Sequence, residues 1–207
     1  MLILKWLPKK NSSHNPAADQ FQADNQAMKF YIETDRLILR DFLESDVEGM
    51  YELDSNPEVH RYLGNNPIKE INQIPPIIQF VRQQYEENGI GRWAVIEKKT
   101  NGFIGWSGLK LVKETRNQQS NYYDVGYRLI QKYWGQGYAT ESAQASLNYG
   151  FGKMNLETIC AAAQAENIAS NKVLQKCGLK LINQYFENEV LENWYQITQA
   201  QWLDRIP

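Results

Sequence analysis

The feature that most restricts the fold of this sequence is a glycine-containing turn between a strand pattern and a helix pattern. An extended run covers residues 122–129, and from Ala139 onward small and apolar side chains recur every four residues. Between them, Gly135 and Gly137 allow backbone conformations that other residues avoid. A strand, such a turn and a helix start together present backbone N–H groups at the positive end of a helix dipole. The pattern therefore predicts a site for a phosphate group.

Two well-known phosphate loops are excluded by the spacing around this turn. The sequence lacks a Gly-x-x-x-x-Gly-Lys-Ser/Thr segment, and it lacks a Gly-x-Gly-x-x-Gly segment followed by an acid that binds a ribose. The predicted phosphate site is therefore neither a P-loop nor a Rossmann-type dinucleotide site.

Length and composition favour one enzyme domain. The 207 residues suit a single α/β domain. The 22 basic and 24 acidic residues nearly balance, which argues against nucleic acid as a partner. Cys160 and Cys177 are the only cysteines, too few for a disulfide framework or a zinc site, so a cytoplasmic location is the default. His14 and His60 lie in no recognisable nucleophile context, and we expect His60 at the surface or at a helix end.

The N-terminal segment is predicted to stand apart from the domain. Residues 11–26 are mainly Asn, Gln, Ser, Ala and Asp. Such a composition cannot bury enough apolar surface to offset the entropy lost on ordering. We therefore predict a disordered tail over residues 1–28 and a single domain over residues 29–207, with Met28 as an alternative translation start.

Regular elements follow in a readable order. Alternation around Leu37 and Leu39 predicts a half-buried strand, and Ser45 with Glu48 predicts a helix that begins with a capping box. The other predicted elements are a helix from residue 74 or 75 to about 87, strands at 92–97, 102–109 and 122–129, a helix from 139, a strand at 158–163, a short helix ended by Gly178, and strands at 184–186 and 193–198. This order implies a mixed sheet covered by helices on both faces.

Several short segments between residues 32 and 202 agree, in order, with one known family. They are Glu33-Thr34-Asp35-Arg36-Leu37-Ile38-Leu39-Arg40, Asn56-Pro57-Glu58-Val59, Gly102-Phe103-Ile104-Gly105, Val125-Gly126-Tyr127-Arg128-Leu129, Ala139-Thr140-Glu141 and the stretch from Glu166-Asn167 to Gly178. The sequence resembles the GNAT (Gcn5-related N-acetyltransferase) superfamily, in its RimJ/RimL-like branch. Gly135 and Gly137 match that family's Gln/Arg-x-x-Gly-x-Gly/Ala loop, whereas Lys132 departs from it at the first position.

The resemblance implies both a fold and an activity. The fold is α/β (mixed α+β), with a central, mixed, splayed and mostly antiparallel sheet of six to seven strands and helices on both faces. The activity is transfer of an acetyl group from acetyl-CoA, as co-substrate, to a primary amine, without a metal. A protein or peptide N-terminus is the expected acceptor. The alternatives are a small amine (amino acid, polyamine or antibiotic) or a CoA-binding module without turnover. We expect a monomer or homodimer that binds neither nucleic acid nor membrane.

The resemblance also implies where acetyl-CoA binds. Backbone N–H groups of residues 134–139 are expected to bind the pyrophosphate, with the Lys132 ammonium nearby. Where the sheet splays, backbone groups of residues 127–129 are expected to pair with the pantetheine arm, and an N–H to stabilise the oxyanion. Asn167 would equally serve as a helix N-cap. The complete expected set is Tyr127, Arg128, Leu129, Lys132, Tyr133, Trp134, Gly135, Gln136, Gly137, Tyr138, Ala139, Thr140, Asn167 and Ser170.

Two residues are candidates for proton transfer. Many relatives protonate the leaving thiolate with a tyrosine in the last helix, but the matching position here is Leu174. Ser170 is the nearest hydroxyl and therefore the predicted proton donor, with capping or cofactor positioning as its alternative role. Asp124 is the predicted base, with solvation of a strand edge as its alternative role. Glu97, Glu141 or a water chain are the other options for the base.

The end of the chain bears on the acceptor. Residues 188–195 include two acidic side chains, Glu189 and Glu192. Negative charge at the acceptor side favours a cationic amine or a basic N-terminus.

Overall fold

The computed structural model of the protein describes residues 30–205. The predicted tail of residues 1–28 lies outside the described residues, so the division of the chain into tail and domain stays a prediction. No helix in the described part of the chain has the length and apolar character that crossing a membrane requires.

One eight-stranded sheet organises residues 30–205. Its strands are β1 (Phe30–Glu33), β2 (Leu37–Arg40), β3 (Arg92–Glu97), β4 (Gly102–Val112), β5 (Tyr122–Leu129), β6 (Thr158–Gln164), β7 (Lys180–Glu187) and β8 (Val190–Thr198). They lie in the order β1-β2-β3-β4-β5-β6-β8-β7, and only β5 and β6 are parallel neighbours. The mixed, mostly antiparallel sheet is confirmed. It has eight strands rather than six to seven, because the short β1 pairs with β2.

Helices cover both faces of this sheet, as predicted. They are α1 (Val47–Asp54), α2 (Pro57–His60), α3 (Ile74–Asn88), α4 (Tyr138–Gly152), α5 (Ile168–Lys176) and α6 (Gln199–Leu203). Apolar side chains of α1, α2 and α3 form one buried cluster with the sheet, and those of α4, α5 and α6 form another. We call the two sides the α1–α3 face and the α4–α5 face.

The helix predictions differ in outcome. For α3 the prediction is confirmed: Ile77, Ile78 and Val81 are buried, and Gly89 ends the helix with a positive φ of 68°. The prediction of a capping box formed by Ser45 and Glu48 is wrong, because the N-cap of α1 is Asp46. A 3₁₀ turn at Glu44–Asp46 precedes α1 instead.

Asp46 explains the different start of α1. Its carboxylate accepts the Leu43 N–H at 2.8 Å and forms an ion pair with the Arg40 guanidinium at 2.7 Å. Both charged side chains are nearly buried. Because a buried guanidinium requires an acidic partner, this contact between β2 and the turn decides where the helix begins.

Alternation along β5 divides its side chains between the two faces. Val125, Tyr127 and Leu129 belong to the cluster on the α4–α5 face. Arg128 lies on the α1–α3 face, where it contacts Asp54 at the end of α1. Asp124 is four positions before Arg128 in the same strand, so its side chain lies on the same face of the sheet.

The sheet splays between β5 and β6, as expected. β5 pairs with β4 along its whole length, from Tyr122 to Leu129. On its other side a single register pair, Asp124 with Cys160, joins it to β6. Toward the C-terminal ends of both strands the sheet is therefore open.

Candidate active site

A cavity of about 720 Å³ occupies the opening between β5 and β6. We call it the central cavity. Among the predicted site residues, its lining includes Asp124, Tyr127, Arg128, Leu129, Tyr133, Trp134, Gly135, Gly137, Tyr138, Ala139, Thr140, Asn167 and Ser170. The lining leaves out Lys132 and Gln136. Residues that are far apart in the sequence are thus brought to one place by the splay of the sheet.

The glycine turn has the backbone geometry of an anion cradle. Gly135 and Gly137 have φ values of 73° and 85°, and Gly137 is the N-cap of α4. No heavy atom lies within 4 Å of a Cβ built on Gly135, so the backbone there is open to a ligand. The N–H groups in the first turn of α4 have no carbonyl partner within the helix. This arrangement fits the diphosphate of a coenzyme A group.

One backbone donor that the sequence assigned to this cradle is already engaged. The Trp134 N–H donates to the Gln131 carbonyl at 3.0 Å. The Trp134 indole N–H donates to the Leu129 carbonyl at 2.7 Å, which fixes the turn against the end of β5. The free donors of the cradle therefore begin at Gly135.

The two predicted residues outside the lining make contacts of their own. The Lys132 ammonium lies 2.8 Å from Glu52 on α1, and its side chain is 57% exposed. The Gln136 side chain donates to the Lys132 carbonyl at 2.8 Å. Lys132 therefore contributes its charge at the outer rim of the turn, where Glu52 balances it.

Arg36, the residue before β2, contacts the glycine turn, and sequence reasoning missed this contact. Its guanidinium donates to the Gln136 carbonyl at 3.0 Å, lies over the Tyr138 ring at 4.4 Å and pairs with Glu141 at 2.5 Å. It thereby holds the turn from the start of β2. The matched segment at residues 33–40 was the available signal, but only the fold shows that it contacts the turn.

Two carboxylates that the sequence kept as alternative bases lie outside the cavity lining. Glu141 accepts hydrogen bonds from Thr34 at 2.6 Å and from the Arg36 side chain at 2.6 Å. Burial alone would raise the pKa of Glu141, but these hydrogen bonds hold it below its usual value. Glu97 accepts from Tyr138 and from Thr100, and these hydrogen bonds lower its pKa. Both carboxylates therefore connect elements of the fold.

The start of α5 brings two hydroxyl groups together. The Asn167 side chain accepts the Ser170 N–H at 3.1 Å, so Asn167 is the N-cap of α5. The Tyr127 hydroxyl donates to the Ser170 carbonyl at 3.0 Å, and it lies 3.1 Å from Ser170 Oγ. Burial raises the pKa of Tyr127, so its phenol keeps its proton at neutral pH. The sequence assigned only the backbone of Tyr127 to the site and missed its side chain.

On the α1–α3 face, Asp124 forms an ion pair with the buried Arg92 guanidinium. Arg92 also donates to the carbonyl groups of Gly108 and Asp124. Gly126 leaves the space for this side chain, since a Cβ there would lie 2.6 Å from Arg92 Nη2. Asp124 lines the cavity, but its carboxylate already balances a buried charge.

A second ion pair lies in the same lining. Asp54 is fully buried, and its Oδ1 is 2.6 Å from Arg128 and 3.5 Å from His60 Nε2. Burial alone would raise the pKa of Asp54, but the Arg128 guanidinium holds it below its usual value. We expected His60 at the surface or at a helix end. It is the last residue of α2, but its side chain is 1% exposed and therefore does not lie at the surface. The contact with Asp54 explains its burial.

The far end of the cavity, on β7 and β8, is acidic and aromatic. Glu187 and Glu192 line it together with Arg116, which lies 3.6 Å from Glu187. The Trp194 ring packs edge-on against Tyr122 and Tyr185. Burial, followed by the charge of Glu187, raises the pKa of Glu192 to about 7. The sequence showed that this segment is acidic but did not select Glu192.

Comparison with known proteins identifies the family. Residues 36–180 match the family described as "Acetyltransferase (GNAT) domain". The chain is 33% identical to the uncharacterized N-acetyltransferase YoaA of Bacillus subtilis over 72% of this chain and 82% of that protein. It is 30% identical to the FsC-acetyl coenzyme A-N(2)-transacetylase of Aspergillus fumigatus over 75% of this chain and 71% of that protein.

Solved structures share the fold. The GNAT-family acetyltransferase of Bacillus anthracis superposes with a TM-score of 0.68 at 26% identity, covering 82% of this chain and 98% of that one. A spermidine N-acetyltransferase from Vibrio cholerae, in complex with CoA and spermine, has a TM-score of 0.66 at 19% identity, covering 82% of this chain and 99% of that one. A ribosomal-protein-S5-alanine acetyltransferase from Vibrio fischeri has a TM-score of 0.66 at 18% identity, covering 86% of this chain and 99% of that one. At these last two identities the likeness concerns the fold alone.

The family match covers most of the described chain, and the cavity has the cradle that the family's co-substrate requires. The chain belongs to the GNAT family and is an acetyl-CoA-dependent N-acetyltransferase.

Proposed function

We propose that this N-acetyltransferase modifies the N-terminal amine of a peptide or protein, as the RimJ/RimL-like branch does. The observation that carries the proposal is the two-part lining of the central cavity beyond the cofactor turn. One part carries the carboxylates of Asp124, Glu187 and Glu192, and the other is apolar. An N-terminal residue offers an ammonium group and a side chain next to each other, so it uses both parts.

The part with the carboxylates favours the ammonium group. Asp124, Glu187 and Glu192 line the cavity beside the aromatic ring of Tyr122. Arg92 and Arg116 pair with the first two, so Glu192 is the carboxylate that remains for an ammonium group. Carboxylates and aromatic faces both attract an alkylammonium ion. An acceptor amine is therefore expected to enter in its protonated form.

The apolar part lies between α1, α2 and α3. Its lining includes the apolar side chains of Phe42, Met50, Val59, Ile77 and Val81. Burial of a first side chain of moderate size would contribute about 25 cal/mol for each Å² of apolar area removed from water. A peptide that begins with an apolar residue is therefore expected to bind better than one that begins with a charged residue.

The roles of the site residues belong to the same proposal. The turn from Gly135 to Thr140 binds the diphosphate of acetyl-CoA through backbone N–H groups. The open edge of residues 127–129 pairs with the pantetheine arm. Ser170, together with the Tyr127 hydroxyl beside it, delivers a proton to the departing thiol. Asp124 remains the sequence-based candidate for the base, and its pairing with Arg92 is a physical reason to consider another carboxylate.

A second candidate acceptor is a small cationic amine. The carboxylates of Glu187 and Glu192 at the far end of the cavity favour it, because they would bind an amine that lacks an apolar side chain. The relative from Aspergillus fumigatus is named as a transacetylase that acts on FsC, and this substrate is stated only of that relative.

Location and assembly remain part of this proposal. We place the enzyme in the cytoplasm, as a monomer or homodimer. Cys160 and Cys177 are both buried free thiols, which agrees with a reducing compartment.

A thiol-release assay tests the choice of acceptor. The acceptors are peptides that differ only in the first residue, apolar or charged, the same peptides with a blocked N-terminus, and polyamines, amino acids and aminoglycosides. We expect release of CoA with unblocked peptides, fastest with an apolar first residue, and none with blocked peptides. Turnover confined to small amines would replace the peptide proposal with the second candidate.

A further inference from the structure

The carboxylates of the central cavity differ in their partners. Five acidic residues contribute to the lining: Asp54, Glu58, Asp124, Glu187 and Glu192. Four of them have an arginine within 4.0 Å: Arg128, Arg61, Arg92 and Arg116, respectively. Within residues 30–205, Glu192 has no basic side chain at that distance. A carboxylate that balances a guanidinium cannot take up a proton without leaving that charge alone, whereas Glu192 is not restrained in this way.

The backbone holds Glu192 at the rim of the opening. In the sheet it is the register partner of Gln164, the last residue of β6. Its neighbour Leu191 accepts the Ala165 N–H at 2.9 Å, and its other neighbour Asn193 donates to Asn171 of α5 at 2.7 Å. Both flanking residues are thus fixed to the segment that carries Ser170. The position of Glu192 relative to the start of α5 is therefore rigid.

The side chain of Glu192 faces the acceptor side. Asn193 and Tyr195 bond to Asn171, so odd-numbered residues of β8 point to the α4–α5 face. By alternation Glu192 and Trp194 point to the α1–α3 face, where Trp194 meets Tyr122 of β5. Glu192 and Asp124 therefore lie on the same face, on opposite sides of the splay.

We propose that Glu192 is the catalytic residue that takes the proton from the acceptor ammonium. The inference deepens the proposed function, because it requires that the acceptor enters as a cation. Transfer of one proton to the Glu192 carboxylate leaves a neutral amine. The amine nitrogen then forms a bond to the carbonyl carbon of the thioester, and the bond from that carbon to sulfur breaks. The second proton lost by the nitrogen passes to the departing thiolate, and Glu192 releases its proton to water.

The charges around Glu192 support such a role. Tyr185 and Glu187 lie beside it on β7, and Arg116 comes from the segment before β5. Lys110, Tyr122 and Asp124 line the same cavity. Burial and the charge of Glu187 raise its pKa to about 7, while Arg116 opposes them. A base acts best when its pKa is close to the working pH. Asp54, whose pKa is lowered by Arg128, lies in the same cavity and stays ionised, so the two carboxylates are separated in role by their surroundings.

The Glu192→Gln variant tests the inference through its dependence on the acceptor. An α-amine with a pKa of about 7.7–8.0 is roughly one-tenth unprotonated at pH 7, whereas an alkylamine with a pKa of about 10.4 is almost wholly protonated. Without its base the variant can use only the neutral fraction. We expect kcat/KM at pH 7 to fall by about tenfold for a peptide N-terminus and by more than a hundredfold for an alkylamine. In both cases the difference from the wild type should vanish above the pKa of the acceptor.

The pH profile gives an independent measurement on a single acceptor. With an alkylamine acceptor, wild-type kcat/KM should fall with decreasing pH only below about 7, as Glu192 becomes protonated. In Glu192→Gln the fall should already begin at the pKa of the acceptor amine, about 10.4, because only the neutral amine reacts. In Glu187→Gln the fall that Glu192 causes should remain and move to lower pH, since the charge that raises the pKa of Glu192 is gone. Glu189→Gln, an exposed change in the same hairpin, should keep the wild-type profile.

Distinct outcomes separate the two proposals. If wild-type protein acetylates no cationic amine, the proposed acceptor class fails. If it does so and Glu192→Gln retains the wild-type profile, Glu192 is not the base. If Glu192→Gln does not fold, Glu192→Asp, which keeps a carboxylate, should retain a fall near neutral pH with a reduced rate. A fall in Glu192→Asp that already begins at the pKa of the acceptor amine would overturn the inference.

Discussion

The Tyr127 hydroxyl donates a hydrogen bond to the Ser170 carbonyl at 3.0 Å and lies 3.1 Å from Ser170 Oγ. This contact joins β5 to the first turn of α5 across the opening of the sheet. Leu174 occupies the helical position where the family resemblance led us to expect a tyrosine. The phenol beside Ser170 comes from a strand instead, and it lines the same cavity as the glycine turn.

The pair is expected to act in the chemical step. Ser170→Ala and Tyr127→Phe should each lower kcat at least tenfold, with acetyl-CoA affinity unchanged, because proton delivery to the thiol matters only in the transition state. Stopped-time thiol release and titration calorimetry measure the two quantities. Asn167→Ala is the matched control for helix capping: it should cost about 1 kcal/mol of stability. Wild-type kcat in both hydroxyl variants would mean that the contact is structural.

The glycine turn gives a test of co-substrate binding. Gly137→Val should weaken acetyl-CoA binding at least tenfold, about 1.4 kcal/mol, because a β-branched residue disfavours the φ of 85° and obstructs the approach of the diphosphate. Gly89→Val places the same strain at a φ of 68° in the C-cap of α3. This control should lose thermal stability and keep its affinity. Equal affinity in both folded variants would reject the turn as the cofactor site.

Asp124 is expected to matter more for stability than for proton transfer. Asp124→Asn leaves the Arg92 guanidinium, which is 7% exposed, without its carboxylate. The cost should be about 3 kcal/mol, the lower end of the range for a broken buried pair, since two carbonyl groups still accept from Arg92. Urea unfolding measures this loss. The double variant Asp124→Leu with Arg92→Met, which removes both charges, should recover part of it.

Activity decides the alternative role of Asp124. If it were the base, Asp124→Asn would lose most activity at neutral pH and regain part of it at high pH, where the amine deprotonates unaided. A normal pH profile in the folded variant would assign Asp124 to the ion pair alone.

The Asp54–Arg128 pair should control how stability depends on pH. The folded-state pKa of Asp54 is below its ordinary value of 3.8, so its contribution is present above pH 3.8 and is lost as the pH falls through the folded value. In Arg128→Met the burial remains while the cation is gone, and the pKa of Asp54 should be raised. The sign then reverses: the variant should become more stable as the pH falls from 7 to 5.

Urea unfolding at pH 7 and pH 5 checks this reversal. Arg128→Met should lose about 3–5 kcal/mol at pH 7, and Arg128→Lys, which keeps a cation, should retain the wild-type pH dependence. A variant Arg128→Met that is equally stable at both pH values would show that Asp54 is not the group that Arg128 stabilises.

Local patterns in the sequence determined much of the fold. The β3 and β5 strands have the predicted bounds, and α3 ends before the glycine that the sequence placed there. The positive φ values of Gly135 and Gly137 also follow from the sequence, because turns of this kind depend on residues that are adjacent in the chain. The order of such elements was enough to indicate the family.

Only the tertiary structure decided which side chains meet. Arg36 and Glu141 are 105 positions apart, and Arg128 and Asp54 are 74 apart. No local pattern predicts such contacts, because they depend on how strands and helices pack. The same holds for the chemistry of the carboxylates: Asp124 and Glu192 both lie in strands of the sheet, yet one lies against a buried guanidinium and the other does not. Burial and neighbouring charge set the proton affinity of each group, and both are properties of the folded chain.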